Sequence, residues 1–134
     1  MTLLSEPRRS VHARAESWLL ARPFAISRGV KTQADVVVVE IDEGGFTGRG
    51  ECVPYPRYNE TVDGVKIEIE AIFPSLERGL DRAGVIRAMP AGAARNAIDT
   101  ALWDLEAKMT GQRVWEIAGI AAPEPSMTAE TIGL

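Results

Sequence analysis

The chain has 134 residues, of which 46% are hydrophobic and 25% charged, with a formal net charge of −4. This content suffices for a buried core, and the length suits one domain, or one domain and part of another. The acidic balance provides no basic surface for nucleic acid, and no apolar run approaches the roughly 18 residues that span a bilayer. Met1 to Ser10 lacks the apolar core of a secretory signal and Cys52 is the single cysteine, so we expect a cytoplasmic protein.

The first half of the chain predicts three strands. Val11 to Leu20 alternates between apolar and polar residues, which is the period of a half-buried strand. Ala34 to Ile41 is rich in valine, and Phe46 to Val53 is a second extended run after two glycines. Glycines supply the positive φ angles of a tight turn, so these two runs predict a hairpin. Ala21 to Gln33, which contains a proline and three basic residues, is interpreted as a loop.

The second half predicts helices. Apolar residues recur three or four apart after Thr61, which predicts a helix with Thr61 as its N-cap. Pro74 should kink or divide that helix. Asp81 to Met89 is interpreted as a short helix. The clearest helix is Ala93 to Thr110, and Gly111 follows it as a C-terminal stop.

Two short segments follow the long helix. Val114 to Ala118 predicts one more helical turn, and Ser126 to Ile132 is again extended, with no later strand as its partner. Strands followed by helices predict an α+β fold, with a three-stranded antiparallel sheet and then a helical bundle.

Four features resemble functional sites, but each is better explained by a structural role. Gly48 to Gly50 lacks the third glycine and the following helix of a dinucleotide fingerprint. His12 lies on a polar strand face without a nameable partner for acid–base work, and Cys52 suits a small buried side chain. A group of carboxylates near the hairpin turn comes from one strand end, whereas metal catalysis needs oxygens from several segments. These carboxylates are Glu40, Asp42 and Glu43.

Two segments are candidates for recognition. Arg22 to Lys31 mixes apolar side chains with cations, and Pro54 to Tyr58 holds two tyrosines, two prolines and an arginine. Tyrosine and arginine supply much of the contact energy of recognition surfaces, and prolines lower the entropy of ordering a loop. From composition alone, recognition and simple closure of the domain edge are about equally good explanations.

Gly48 to Thr61 and Met89 to Lys108 together resemble the capping domain of the muconate lactonizing branch of the enolase superfamily. Within that branch the pattern is most similar to L-Ala-D/L-Glu epimerases. The resemblance covers nearly the whole chain and implies a capping domain at 1–124. It identifies 125–134 as the start of a (β/α) barrel, with Ser126 to Thr131 as its first strand, and such a barrel needs roughly 250 residues.

The resemblance also implies a chemistry that this chain would not perform alone. In the family, two lysines exchange the α-proton of a dipeptide, and Mg²⁺ held by three acidic residues stabilises the enolate. These groups lie on later barrel strands, so we expect neither catalytic residues nor metal ligands in this chain, and a catalytically incomplete isomerase without its barrel.

By the same resemblance, the cap contributes substrate contacts from its two recognition segments and the start of the barrel. Lys31 is the preferred partner for the distal carboxylate of a Glu-containing dipeptide. The implied substrate-binding residues are Phe24, Ile26, Arg28, Lys31, Tyr55, Arg57, Tyr58 and Thr131.

Other readings remain open. One alternative within the superfamily is the cap of a muconate cycloisomerase or an o-succinylbenzoate synthase, since one scaffold serves many reactions. A stand-alone binding or assembly domain is the alternative from another class. The expected partners are a dipeptide, the barrel or a complementing chain, and further copies in a homo-oligomer, because exposed strand edges favour self-association.

Overall fold

The computed structural model describes residues 8–27 and 29–130. In this part of the chain, one antiparallel sheet has the strand order β1-β2-β3. Its strands are β1 (Ser10–Ile26), β2 (Gly29–Glu43) and β3 (Phe46–Cys52). The hairpin between β2 and β3 turns at Gly44 and Gly45, whose φ angles of 60° and 82° confirm the predicted tight reversal.

The interpretation of Ala21 to Gln33 as a loop is wrong. β1 continues to Ile26 and β2 begins at Gly29, so residues 21–26 and 29–33 form the far end of a long hairpin. The pairing shifts register between Leu19 and Phe24, which breaks the alternation on which the strand prediction depended. Pro23 is compatible with this arrangement because β1 lies at the edge of the sheet.

The helical half follows the prediction closely. Thr61 caps the first helix by accepting a hydrogen bond from the Gly64 N–H at 3.0 Å, and the helix is divided before Pro74 as expected. Gly111 has a φ of 68° and ends the long helix. The helices among the described residues are α1 (Val62–Ala71), α2 (Phe73–Glu77), α3 (Arg82–Ala88), α4 (Ala93–Thr110) and α5 (Val114–Ile117).

The core lies between one face of the sheet and the helical layer. α4 crosses β3 so closely that a Cβ atom at Gly48 or Gly50 would overlap the carbonyl oxygen of Ala101 or Ala97, respectively. The glycines that suggested a nucleotide fingerprint are therefore packing residues, which confirms their structural interpretation. Around this contact the main buried side chains are Val37, Val39, Ile41, Ile69, Leu76, Val85, Ile98 and Leu105.

Polar side chains of α4 fasten it to strand β3. Asp104 accepts a hydrogen bond from the Arg49 backbone N–H at 2.8 Å, and Lys108 donates to the Thr47 carbonyl at 2.7 Å. The two side chains also pair with each other at 2.7 Å, as their spacing predicts. Through these additional contacts, this face of α4 binds to strand β3 as well as facing solvent.

The end of the described chain has no assigned secondary structure. Residues 120–130 belong to no helix or strand and are exposed, and residues 131–134 lie outside the described part. The barrel strand predicted from Ser126 onward and the domain limit at 124 therefore stay predictions. In residues 8–27 and 29–130, no helix combines the length and apolar content that a membrane crossing requires.

Candidate functional site

The two recognition segments meet at one end of the sheet. The first lies at the end of the β1–β2 hairpin, and the second, Pro54 to Tyr58, lies within residues 54–60, between β3 and α1. We refer to the side chains that these segments contribute as the tip cluster, which consists of Phe24, Ile26, Lys31, Tyr55 and Tyr58.

The hairpin places three members of the tip cluster on one face. Phe24 is the cross-strand partner of Lys31, and Ile26 is the partner of Gly29. Cross-strand partners point to the same side of a sheet, and so do residues two apart. Phe24 is half-buried, whereas Ile26 and Lys31 are exposed, so this face presents an apolar surface beside a cation.

Tyr55 joins the two segments. The Lys31 ammonium lies 5.5 Å from the centroid of the Tyr55 ring, within the range of a cation–π contact. The rings of Tyr55 and Tyr58 are 5.7 Å apart and tilted by 49°, which is the spacing of an aromatic pair. Tyr58 is 70% exposed, so most of its ring is available to contact another molecule.

Lys31 has a carboxylate further along its own strand face. Asp35 accepts hydrogen bonds from the Ser17 hydroxyl at 2.5 Å and from the Gln33 amide at 2.8 Å. The hydrogen bond from Ser17, followed by that from Gln33, holds the pKa of Asp35 below its usual range. The positive charge of Lys31 lowers this pKa further. Asp35 is therefore ionised at neutral pH and contributes negative charge next to the tip cluster.

Glu60 holds the second segment in place, a role that the sequence interpretation missed. Its carboxylate accepts the Tyr55 N–H at 2.9 Å through Oε2 and the Ala93 N–H at 2.8 Å through Oε1. Ala93 is the first residue of α4, and the preceding Gly92 has no side chain with which to cap the helix. A glutamate next to an N-cap resembles any solvated acid in sequence, so no local pattern signals this role.

Three further residues are predicted to contact the substrate: Arg28, Arg57 and Thr131. Arg57 is exposed on a 3-10 turn formed by Pro56–Tyr58, close in sequence to both tyrosines but outside the contacts that define the tip cluster. Arg28 and Thr131 lie outside the described residues, so their contribution stays a prediction.

The carboxylates near the β2–β3 turn are engaged by basic and hydroxyl side chains. Glu40 pairs with Arg14 at 2.7 Å and with Arg49 at 2.8 Å, while Asp42 accepts the Thr47 hydroxyl. Glu43 accepts hydrogen bonds from two arginines of the N-terminal segment. These partners explain the clustering of the acids. Among residues 8–27 and 29–130, no group of three or more His, Cys, Asp or Glu side chains fits a metal ion.

Cys52 is a core residue, as predicted. Its side chain is buried at the end of β3, with its thiol 3.8 Å from the Val37 carbonyl. Burial raises the pKa of the Cys52 thiol to about 11, so the reactive thiolate is scarce at neutral pH. His12 is exposed and hydrogen-bonds Ser10 at 2.8 Å, in agreement with a surface role.

A cleft of about 420 Å³ lies at the other end of β2, between the N-terminal segment, α3 and α4. Its arginines are already paired: Arg9 with Glu43 at 2.7 Å, and Arg82 with Glu106 at 2.8 Å. Arg82 also stacks on Trp103, 3.4 Å from the ring centroid. The pairing of these arginines with carboxylates reduces the attraction of the cleft for an anionic ligand.

The tip cluster combines an ammonium group, apolar surface and phenol rings, which suits recognition of a small molecule with a negative charge. It does not combine a nucleophile or general base with an orienting partner, the pairing on which bond-making or proton transfer depends. The tip cluster therefore presents groups that suit the binding of a ligand.

Comparison with known proteins agrees with this architecture. Residues 8–119 match the family "Mandelate racemase / muconate lactonizing enzyme, N-terminal domain". The L-Ala-D/L-Glu epimerase of Escherichia coli (strain K12) is 48% identical over 124 residues, which are 92% of this chain and 39% of that protein. The chain thus spans well under half the length of this relative.

Two solved structures show the same fold. An enolase family member from Agrobacterium tumefaciens with homology to dipeptide epimerases, solved with sodium and L-Ala-L-Glu, is 50% identical with a TM-score of 0.80. That match covers 85% of this chain and 35% of the other. The dipeptide epimerase from Cytophaga hutchinsonii, complexed with Mg and D-Ala-L-Val, is 28% identical with a TM-score of 0.73, over 85% and 33% of the two chains.

Proposed function

The chain belongs to the family of N-terminal domains of mandelate racemases and muconate lactonizing enzymes, and on this premise we propose that it caps a dipeptide epimerase and recognises the dipeptide. The observation that carries the proposal is the convergence of Lys31, Tyr55 and Tyr58 at one end of the sheet. The relatives named as epimerases of L-Ala-D/L-Glu and the relative solved with L-Ala-L-Glu support it.

In this proposal the ammonium group of Lys31 pairs with the side-chain carboxylate of a C-terminal Glu residue. Phe24 and Ile26 contribute apolar surface that excludes water, and a dry environment strengthens the ion pair. Tyr58 closes the other side of the ligand with its exposed ring. Arg28, Arg57 and Thr131 are proposed as additional contacts on the strength of the family resemblance.

Proton transfer at the α-carbon is assigned to a barrel that this chain caps. We propose that the complete enzyme uses Mg²⁺, as the Cytophaga hutchinsonii relative was solved with that ion. A bound Mg²⁺ would stabilise negative charge on the substrate carboxylate. The described residues here offer no donor set for it, so the ligands would come from the barrel, and the chain alone should be inactive.

A chimera tests this proposal directly. This chain would replace the matching N-terminal 39% of the E. coli epimerase, whose remaining residues supply the barrel. Exchange of the α-proton of L-Ala-L-Glu in deuterated water, followed by NMR, reports epimerisation. We expect the chimera to be active and the isolated chain to be inactive.

The variant Lys31→Met, which keeps the length of the side chain, tests the carboxylate contact. In the chimera it should raise KM for L-Ala-L-Glu about tenfold or more, since a charged pair is lost in a partly dry site. KM for a dipeptide with an uncharged second residue should change little. A folded chimera that epimerises only uncharged dipeptides would contradict the proposal and favour another member of the superfamily.

The association state is a further part of the proposal. β1 is an edge strand of the sheet, and Trp18 and Leu19 on it are 60% and 85% exposed. We propose that these groups are covered in the complete enzyme by the barrel or by a second copy. Light scattering of the isolated chain at rising concentration should show self-association, and a stable monomer would contradict it.

A further inference from the structure

We propose that Glu60 is the positioning residue of the recognition site. Its carboxylate fixes the 54–60 segment to the start of α4, so that Tyr55 stays in place beneath Lys31. The inference rests on the proposed function for its significance, but its structural part is tested independently of any ligand.

The two oxygens of Glu60 bridge distant parts of the chain. One accepts the backbone N–H of Tyr55, five residues earlier, and the other accepts that of Ala93, 33 residues later. The backbone N–H of Glu60 also lies 3.4 Å from the Tyr55 carbonyl. One side chain therefore closes the 55–60 segment on itself and anchors it to the helix.

The start of α4 needs such a partner. The first N–H groups of a helix have no partner within it, and an N-cap side chain usually satisfies one of them. Gly92 occupies the N-cap position without a side chain, and Glu60 supplies an oxygen from another segment instead. Its negative charge also lies at the positive end of the helix dipole, where it is favoured.

Gly92 leaves room for this carboxylate. A Cβ atom at position 92 would lie 3.2 Å from the nearer Glu60 oxygen, which is tighter than most contacts of a Cβ atom. The glycine and the glutamate are thus matched, and a substitution at Gly92 offers a second way to disturb the link without removing the acid.

The cation–π contact with Lys31 is too weak to fix the segment alone. A cation–π pair at an exposed site is among the weak interactions, and Lys31 is exposed. Hydrogen bonds to a charged acceptor are stronger than those between neutral groups. The position of Tyr55 therefore depends more on its hydrogen bond to Glu60 than on its contact with Lys31.

Amide hydrogen exchange of this 134-residue chain tests the structural part of the proposal. In Glu60→Ala we expect the Tyr55 and Ala93 amides to exchange at least about tenfold faster than in the unmodified chain. In Glu60→Gln a single carbonyl oxygen remains, so one of the two amides should lose its protection. Lys31 side-chain protons should also lose the NMR shift that the Tyr55 ring induces.

Thr61→Ala is the matched control. Thr61 is the neighbouring residue and accepts from Gly64 in α1, so its loss weakens a helix cap without touching Tyr55 or Ala93. It should leave both amides and the Lys31 shift unchanged. If Glu60→Ala leaves Tyr55 and Ala93 protected, or if Thr61→Ala exposes them equally, the positioning role is overturned. Should Glu60→Ala fail to fold, Glu60→Gln and Gly92→Ala give the same decision.

Kinetics of the chimera connect the position of Tyr55 to recognition. A positioning residue should raise KM for L-Ala-L-Glu about tenfold with kcat nearly unchanged, whereas a general loss of folded enzyme lowers kcat. An unchanged KM in Glu60→Ala with exposed Tyr55 and Ala93 amides would overturn the link to recognition. A chimera inert towards every dipeptide would instead overturn the proposed function, and the exchange result for Glu60 would stand.

Discussion

The contact between α4 and β3 and the tip cluster differ in what fixes their structure. At the first, Gly48 and Gly50 bring two backbones together around side chains such as Leu105, which is 2% exposed. At the second, Ile26 and Tyr58 are 43% and 70% exposed, and a few polar contacts set the geometry. The first region is determined by packing within the chain, whereas the second keeps its surface for another molecule.

The largest expected effect tests the packed region. In Gly50→Ala the added methyl group would overlap the Ala97 carbonyl and approach the Thr100 hydroxyl at 2.6 Å. Neither the strand nor the helix backbone can move without disturbing the core. We therefore expect a loss of more than about 3 kcal/mol in the free energy of unfolding, above the usual cost of overpacking.

Urea unfolding followed by circular dichroism measures this loss. Glu51→Ala is the control, because residue 51 is on the same strand and its side chain is exposed; its effect should stay within about 0.5 kcal/mol. A Gly50→Ala chain as stable as the control would mean that α4 and β3 do not meet as closely as described.

The second prediction concerns the far end of the same packed region. Arg9 and Glu43 pair at 2.7 Å with both side chains only 9% exposed, and Arg9 also donates to the Leu80 carbonyl at 2.7 Å. Glu43→Ala would leave the Arg9 charge buried without its carboxylate. We expect a loss of about 2 kcal/mol in the free energy of unfolding, as for a hydrogen bond to a charged group.

An exposed pair provides the comparison. Lys66 and Glu70 lie 3.4 Å apart on the surface of α1, and Glu70→Ala should cost at most about 0.5 kcal/mol. If Glu43→Ala and Glu70→Ala lower the free energy of unfolding equally, burial does not strengthen the pair between Arg9 and Glu43.

The same ion pairs predict how stability depends on pH. A hydrogen bond from Arg14 holds the pKa of Glu40 below its usual range. Arg49 also lowers this pKa, whereas burial raises it. For Glu43, burial opposes ionisation most strongly, but Arg9 and Arg8 outweigh it and lower the pKa. At acid pH the unfolded chain therefore binds more protons than the folded chain.

These carboxylates stabilise the fold above the ordinary Glu pKa of 4.5. Their contribution should be lost as the pH falls below that value and through their lowered pKa values. Urea unfolding at several pH values should show stability that declines most steeply in this acid range, and Glu43→Gln should reduce the decline. Stability that is unchanged down to about pH 3 would contradict the ion-pair assignments.

The two regions also differ in how well the sequence predicts them. Apolar periodicity and end signals identify α4 from Ala93 to Gly111 and the division of helices at Pro74, because burial on one face leaves a periodic pattern. For the hairpin beyond Leu19 the sequence predicts a loop instead of strands, because both faces of the hairpin are largely exposed and a register shift interrupts the alternation.

In the candidate site, too, the sequence predicts some residues and not others. The tyrosines are candidates by residue type, because recognition surfaces favour tyrosine, whereas Lys31 is a candidate through the family resemblance. Glu60 is not predicted, because its partners are backbone N–H groups that every residue carries, one of them 33 positions away. A contact of this kind becomes visible only when the fold brings the segments together.

The smallest expected effect on stability tests the tip cluster. Lys31 is exposed and lies 5.5 Å from the centroid of the Tyr55 ring, so Lys31→Met removes a weak cation–π pair and an exposed attraction to Asp35. The free energy of unfolding should change by no more than about 0.5 kcal/mol. The same substitution is expected to change dipeptide recognition strongly. A loss of stability comparable to that of Gly50→Ala would show that the tip is held by packing as the core is, and would remove the distinction between the two regions.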